Sequence, residues 1–263
     1  MQAYDVHQHL LLEPHHGRSF LAQDRERRVR IMDRNDISRA IVSPLSHFDV
    51  TNGIDDVRRI NDLVADYVSM YSDRFPAGCG VVHLRMREAC LPEIERAIKD
   101  LGLKGIAWHH MSMGTYIDDP ITLECVGEVA RLGGVPLIHA FAESMWEAPW
   151  RLGPVAEAFP GLPILVLSGL FGWSTSEQTL WLAKKYRNLV VDTCVFPINL
   201  WVEKLVRELG SERVLFGSDL IAFPEDESYH HAASLSEIRT SPQLGAEEKQ
   251  RILSGNVQKL FSL

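Results

Sequence analysis

Histidine and aspartate residues lie at the ends of several strand-like runs of this chain. Both residue types bind metal ions. His7 and His9 flank one residue on the first run, and residues two apart on a strand point to the same face. Both imidazoles can therefore reach one ion. His139 closes the apolar run Val135 to Ile138, and Asp219 follows Val214 to Ser218. Three imidazoles and one carboxylate predict a site for zinc or a similar divalent ion, with manganese as the alternative.

Eight short apolar runs alternate with amphipathic stretches, and this alternation favours an α/β fold on a parallel sheet. Their spacing is close to the thirty or so residues of a strand-helix unit. Eight units in about 250 residues predict a (β/α)₈ barrel (TIM barrel), whose active site lies at the carboxyl ends of the strands. A doubly wound open sheet is the alternative. The runs are Ala3–Val6, Ala40–Val42, Gly78–Val82, Gly105–Trp108, Val135–Ile138, Ile164–Leu167, Leu189–Val191 and Val214–Phe216.

Composition limits the classes of function. The 263 residues are 46% hydrophobic and carry no linker or low-complexity segment, which predicts a single domain over residues 1–263. A formal charge of −8 without a basic stripe argues against nucleic acid as a partner. The sequence has no signal-like start and no apolar stretch near the roughly 20 residues of a membrane span, so a cytoplasmic protein is expected. The four cysteines have no CxxC spacing and are expected to fill the core as thiols.

An ordered set of motifs carries a family resemblance. They are Asp5-Val6-His7-Gln8-His9, Tyr71-Ser72-Asp73-Arg74-Phe75, Gly102-Leu103-Lys104-Gly105-Ile106, Val135-Pro136-Leu137-Ile138-His139, Asn188 to Thr193, Phe216-Gly217-Ser218-Asp219 and Gly255-Asn256. In this order the chain resembles the amidohydrolase superfamily, in the branch of aminocarboxymuconate semialdehyde decarboxylase and its relatives. The resemblance implies a (β/α)₈ barrel with one divalent metal, with His7, His9, His139 and Asp219 as ligands, and it suggests a homodimer.

The chain departs from this family at the end of strand six. Members usually carry a histidine there that helps to activate a metal-bound water, and Ser168 aligns with it. A serine hydroxyl can hydrogen-bond a water or a substrate oxygen, but it cannot serve as a base near neutral pH. His109 or His110, after strand four, could bind a substrate carboxylate or replace the missing histidine.

Three functions remain open. The first is a metal-dependent hydrolase of a small lactone, amide or related acyl substrate, with Asp219 as proton shuttle and with Ser168 and His109 orienting the carbonyl. The second is a metal-dependent nonoxidative decarboxylase of a small carboxylic acid, which the missing water activator would harm less. The third is a catalytically impaired barrel that acts as a binding protein.

Several residues outside the predicted ligand set have expected roles as well. Asp5 is expected to orient the strand-one loop or a ligand histidine, and Asp192 and Asn256 to tie loops and helix ends. The charged run Asp24 to Arg30 is interpreted as a solvated helix face. Side chains that could reach the substrate pocket are His15, His16, Arg18, His47, His83, His230, His231, Trp146, Trp150 and Trp173.

Overall fold

The computed structural model describes residues 1–45, 49–194, 201–222 and 232–263. All strand pairings within this part of the chain are parallel. The strands are β1 (Ala3–Leu10), β2 (Ile37–Pro44), β3 (Ala77–Gly78), β4 (Gly105–Trp108), β5 (Val135–His139), β6 (Ile164–Leu167), β7 (Leu189–Asp192), β8 (Val214–Leu215) and β9 (Leu220–Ile221).

Helices alternate with these strands. The helix α2 carries its apolar residues at helical spacing and begins just before Asp55 and Asp56, where the helix dipole favours acidic side chains. The helices are α1 (Arg18–Arg34), α2 (Ile54–Met70), α3 (Cys90–Glu95), α4 (His110–Met113), α5 (Pro120–Arg131), α6 (Leu152–Ala158), α7 (Gly172–Lys185), α8 (Trp201–Leu209), α9 (Ala232–Thr240), α10 (Ala246–Gln250) and α11 (Asn256–Phe261).

The strands close into a barrel. Four are hydrogen-bonded in the order β3-β2-β1-β9 and five in the order β4-β5-β6-β7-β8. A parallel bridge between Gly80 and Ile106 joins β3 to β4, and the Val6 amide donates to the Phe216 carbonyl at 2.9 Å, which joins β1 to β8. The predicted (β/α)₈ barrel is confirmed, and the open sheet is excluded by these two connections.

Apolar side chains fill both the barrel and the layer under the helices. Val6, Ile41, Ala107, Leu137 and Leu165 belong to the cluster inside the barrel. A larger cluster packs the outer faces of the strands against the helices. All four cysteines are buried and free, as expected. Within the described part of the chain, no helix is long and apolar enough to cross a membrane.

A β-bulge in β1 sets the direction of the first two histidines. Asp5 pairs with Ala40 and Gln8 with Val42, so three steps along β1 oppose two along β2. Tyr4 and Val6 belong to the barrel interior, and strict alternation would turn the next residue outward. The extra residue restores the inward direction for His7. Bulges are common next to active sites because they re-aim side chains in this way.

The interpretation of Asp24 to Arg30 as a solvated helix face is wrong in part. Asp24 and Arg28 are 2% and 0% exposed. Arg28 donates to both carboxylate oxygens of Asp24, at 2.9 and 3.0 Å, and to the backbone carbonyls of His9 and Leu220. The buried ion pair therefore fastens α1 to the strands beside the barrel mouth, whereas Glu26 and Arg30 do lie on the solvent side.

Candidate metal and active site

The two histidines of β1 and the aspartate after β8 converge at the mouth of the barrel. The Nε2 atoms of His7 and His9 lie 2.8 Å apart. Oδ1 of Asp219 lies 3.4 Å from the first and 3.3 Å from the second. Three donor atoms that face one another in this way, from two imidazoles and a carboxylate, match the donor set of a divalent metal site. These residues therefore fit the ion that the family resemblance implies.

Asp219 reaches this position through an unusual backbone conformation. Its φ angle is +60°, in the left-handed region, and its amide donates to the His7 carbonyl at 2.8 Å. A non-glycine residue in this region is uncommon and is often found at functional sites. The side chain stays 30% exposed, so it can exchange protons with a molecule in the barrel mouth.

His7 is held from behind by Asp192 at the end of β7. The distance from His7 Nδ1 to Asp192 Oδ2 is 2.6 Å. The carboxylate accepts a hydrogen bond from the Nδ1–H group of His7, so the Nε2 atom of the ring faces Asp219. Burial acts to lower the pKa of His7, but the carboxylates of Asp219 and Asp192 outweigh it and raise this pKa to about 9. The two carboxylates therefore favour the charged form of His7.

His9 has the opposite electrostatic environment. Its Nδ1 lies 3.2 Å from the Ser43 hydroxyl. Burial and the nearby positive charge of His7 lower the pKa of His9 to about 3, and His109 and His139 add to this effect. His9 therefore presents a neutral imidazole, the form that binds metals.

Asp5 supports the same strand without facing the barrel mouth, in agreement with the predicted orienting role. Its carboxylate accepts the amides of His7 and Ser218, the Ser218 hydroxyl and the Gln8 amide group. Burial raises the pKa of Asp5 to about 6, although these hydrogen bonds oppose the shift. Asp5 thereby fixes the loop that carries Asp219 to the strand that carries the histidines.

A second cluster contains the other predicted ligand, His139. Its Nδ1 lies 2.9 Å from one oxygen of Glu147, and His109 Nδ1 lies 3.0 Å from the other. The two imidazoles stack with centroids 4.2 Å apart. Burial acts to raise the pKa of Glu147, but hydrogen bonds from His109 and His139 outweigh it and hold this pKa well below its usual range.

The four predicted ligands are thus divided between two clusters. His7, His9 and Asp219 form one, and His139 lies with His109 and Glu147 in the other. The clusters are near neighbours, because both imidazoles of the second act on the pKa of His9. His139 as a fourth ligand stays a prediction.

Ser168 lies at the end of β6, where the resemblance places the family histidine. It is 1% exposed and has a φ of +55°. Its amide donates to Asp192 Oδ1 at 3.1 Å, and its hydroxyl faces the Cys194 thiol at 3.7 Å. Asp192 therefore joins Ser168 to His7, which extends its predicted role in tying loops.

Among the described residues, neither cluster contains any of the other candidate histidines. His110 is fully buried near the second cluster, whose Glu147, His109 and His139 act on its pKa, and its Nε2 has no partner among the described residues. His16 stacks on Phe20. Trp150 and Trp173 are 54% and 66% exposed, which does not fit a pocket wall. The candidates His47, His230 and His231 lie outside the described residues.

Glu147 is the site residue that the sequence did not indicate. It follows β5 by eight residues in a segment without strand or helix periodicity, so no pattern connects it to His139. The signal available in the sequence was an acid among apolar and aromatic neighbours, since an acid in such surroundings is rarely buried unless it is paired.

The barrel and its two histidine-carboxylate clusters define a class, the TIM-barrel proteins with a candidate metal site at the carboxyl ends of the strands. The chain belongs to the amidohydrolase family, whose model matches residues 4–263.

Two curated relatives are decarboxylases. The chain is 24% identical to 2-amino-3-carboxymuconate-6-semialdehyde decarboxylase of Dictyostelium discoideum, over 91% of this chain and 77% of the relative. It is also 24% identical to gamma-resorcylate decarboxylase of Polaromonas, over 94% of this chain and 90% of the relative. The prediction of a hydrolase is therefore wrong, and the alternative of a decarboxylase is favoured.

A solved structure supports the fold. The 5-carboxyvanillate decarboxylase of Novosphingobium aromaticivorans superposes with a TM-score of 0.76 at 17% identity, over 100% of this chain and 97% of that one. That protein holds manganese and 3-methoxy-4-hydroxy-5-nitrobenzoic acid.

Proposed function

We propose that this protein is a metal-dependent nonoxidative decarboxylase of a small carboxylic acid. The observation that carries the proposal is the metal-type donor set that His7, His9 and Asp219 form at the barrel mouth. Direct decarboxylation needs no activated water, so a serine where the resemblance places the water-activating histidine is compatible with it. The two decarboxylase relatives support the same reaction.

One divalent ion per chain would be held by His7, His9 and Asp219, with His139 as the fourth ligand. Imidazole and carboxylate donors suit zinc, and manganese is the alternative. When bound, the ion would supply a Lewis acid that takes up negative charge on the substrate.

The side chains of this protein supply the proton chemistry. In the reaction the bond between the substrate carbon and its carboxylate breaks, carbon dioxide leaves, and the electron pair stays on that carbon. The carbon then takes a proton from a carboxyl oxygen of Asp219, which recovers one from solvent through its exposed edge. In this proposal His109 and Ser168 orient the substrate.

Carbon dioxide release from a panel of carboxylic acids tests this function. The panel contains hydroxylated benzoates and carboxylated enoic acids, and the protein is assayed with zinc, with manganese and after a chelator. We expect release of carbon dioxide that the chelator abolishes and either metal restores. Asp219→Asn should bind the metal and lose turnover by about 10²-fold or more, the range of a lost acid-base group.

Glu143→Gln is the matched control, because Glu143 is an exposed acid of the segment after β5 and should keep wild-type turnover. Release that persists after metal removal, or unchanged turnover in Asp219→Asn, would contradict the proposal. Elemental analysis of protein purified without added metal identifies the ion. His139→Ala should lower the metal content, whereas His16→Ala, which removes a ring stacked on Phe20, should not.

A further inference from the structure

Glu147 lies in the segment between β5 and α6, and the backbone holds it in place. The Phe141 amide donates to the Glu147 carbonyl at 2.8 Å, and the Glu147 amide donates to the Ser144 carbonyl at 3.2 Å. The side chain is completely buried, whereas Glu143 of the same segment is exposed. A buried acid needs hydrogen-bond donors around it, since an unpaired carboxylate would be strongly destabilising.

Three donors meet the two oxygens of Glu147. The Met111 amide donates to Oε1 at 2.9 Å, and the same oxygen lies 3.0 Å from His109 Nδ1. Oε2 lies 2.9 Å from His139 Nδ1. An ionised carboxylate only accepts hydrogen bonds, so the Nδ1 of each imidazole carries the proton, and the Ser112 hydroxyl lies 3.2 Å from the same nitrogen of His109. In a neutral ring the lone pair is then on Nε2, which points away from Glu147.

The imidazole rings of His109 and His139 stack on each other, so their orientations are coupled. Their planes are 19° from parallel. The Nδ1 of each ring lies within 3.0 Å of an oxygen of the same carboxylate. The two Nε2 atoms are therefore directed to the same side. His139 ends β5 and His109 follows β4, two strands paired in register from Gly105 and Val135 onward. The carboxylate thus fixes the orientation of side chains from two adjacent strands.

We propose that Glu147 is a positioning residue, which locks His109 and His139 in the Nδ1-protonated form and turns both Nε2 atoms toward the metal and substrate side of the barrel. This inference rests on the proposed function for its consequence, because His139 is the proposed fourth ligand and His109 the proposed substrate contact. The locked form itself is a property of the metal-free protein. A neighbour that fixes the form of a ligand histidine is worth about 10- to 100-fold in metal affinity.

Glu147→Gln tests the proposal because it keeps the shape of the side chain. A glutamine has one acceptor oxygen and one NH₂ group, so it cannot accept from both imidazoles in the wild-type arrangement. Nitrogen-15 NMR of the imidazoles in metal-free protein reads the protonated nitrogen directly, and the His139 signals are assigned by their loss in His139→Asn. We expect Nδ1–H on His139 and His109 in the wild type and in the control Glu143→Gln. In Glu147→Gln at least one of the two rings should change its form.

Metal affinity gives the second readout, by competition with a chromophoric chelator and zinc. We expect Glu147→Gln to bind zinc about 10- to 100-fold more weakly than the wild type, and Glu143→Gln to bind equally well. A circular dichroism spectrum and melting curve establish that the variant is folded.

A wild-type His139 with the proton on Nε2, or unchanged ring forms and zinc affinity in Glu147→Gln, would overturn the inference. If the wild type shows the expected ring forms but releases no carbon dioxide, the proposed function fails and the positioning role stands.

Discussion

His7 and Asp192 are 185 residues apart in the chain, and their side chains meet at 2.6 Å inside the barrel. The other oxygen of Asp192 accepts the amides of Ser168 and Cys194. One carboxylate therefore links β1, β6 and β7 at the point where the candidate metal site begins. The barrel brings these strands together, and Asp192 converts their proximity into a fixed direction for His7.

Asp192→Asn should weaken metal binding. All three neighbours of the carboxylate are donors in this arrangement, and an asparagine would place an NH₂ group against one of them. We expect a loss of zinc affinity of about 10- to 100-fold, measured by chelator competition. Asp55→Asn is the control, since Asp55 lies exposed on α2 and pairs only with Arg58 among the described residues. Equal affinities in the two variants would show that Asp192 does not orient His7.

Arg28→Met should destabilise the fold. It removes the cation that faces the buried Asp24, whose carboxylate would keep only neutral donors such as Tyr67. Breaking a buried ion pair by removing one partner costs about 3–5 kcal/mol in the free energy of unfolding. Urea denaturation measures this loss. Arg30→Met on the same helix removes the solvent-exposed pair with Glu26, and it should change stability by less than about 1 kcal/mol.

Gly105→Ala should also destabilise the barrel, for a steric reason. A Cβ atom at this position would lie 2.1 Å from the backbone carbonyl oxygen of Val135 on the neighbouring strand. Because backbone in a paired strand cannot move aside, we expect a loss of about 3 kcal/mol or more. The melting temperature of Gly105→Ala, compared with that of Gly161→Ala, tests this. Gly161 has open space where a Cβ atom would lie. An equal decrease in melting temperature for Gly161→Ala would show that the loss comes from replacing any glycine by alanine and not from the steric overlap at Gly105.

The barrel could be predicted from the sequence because its signals are local. Apolar runs at regular spacing specify strands, and helix α2 follows from the period of its apolar residues. The pair His7 and His9 could be placed on one face by the same periodicity. The bulge that turns both rings inward was not visible, because an extra residue in a strand has no signature in a short apolar run.

The polar residues behind the site could be predicted less well. Asp24 and Arg28 stand in a run that is charged at almost every position, and only the tertiary contacts show which of those charges are buried. Glu147 is similar, since its partners come from segments 36 and 8 residues away. Pairings of this kind depend on how the chain closes, and no single segment encodes them.

Ser168→Ala should reduce turnover only modestly if the protein is a decarboxylase. The hydroxyl faces a thiol at 3.7 Å, and a neutral hydrogen bond is worth about 1 kcal/mol, which limits the loss in kcat to about tenfold. Removing a residue that activated water as a base would lower turnover by about 10²- to 10⁴-fold.

The comparison uses the carboxylic acid that releases the most carbon dioxide. Ser168→Gly serves as the second variant, because glycine adopts the φ of +55° without strain and separates the hydroxyl from the backbone conformation. Turnover that falls by more than about 10²-fold in both variants would assign Ser168 a direct chemical role, and the assignment of proton delivery to Asp219 alone would be wrong.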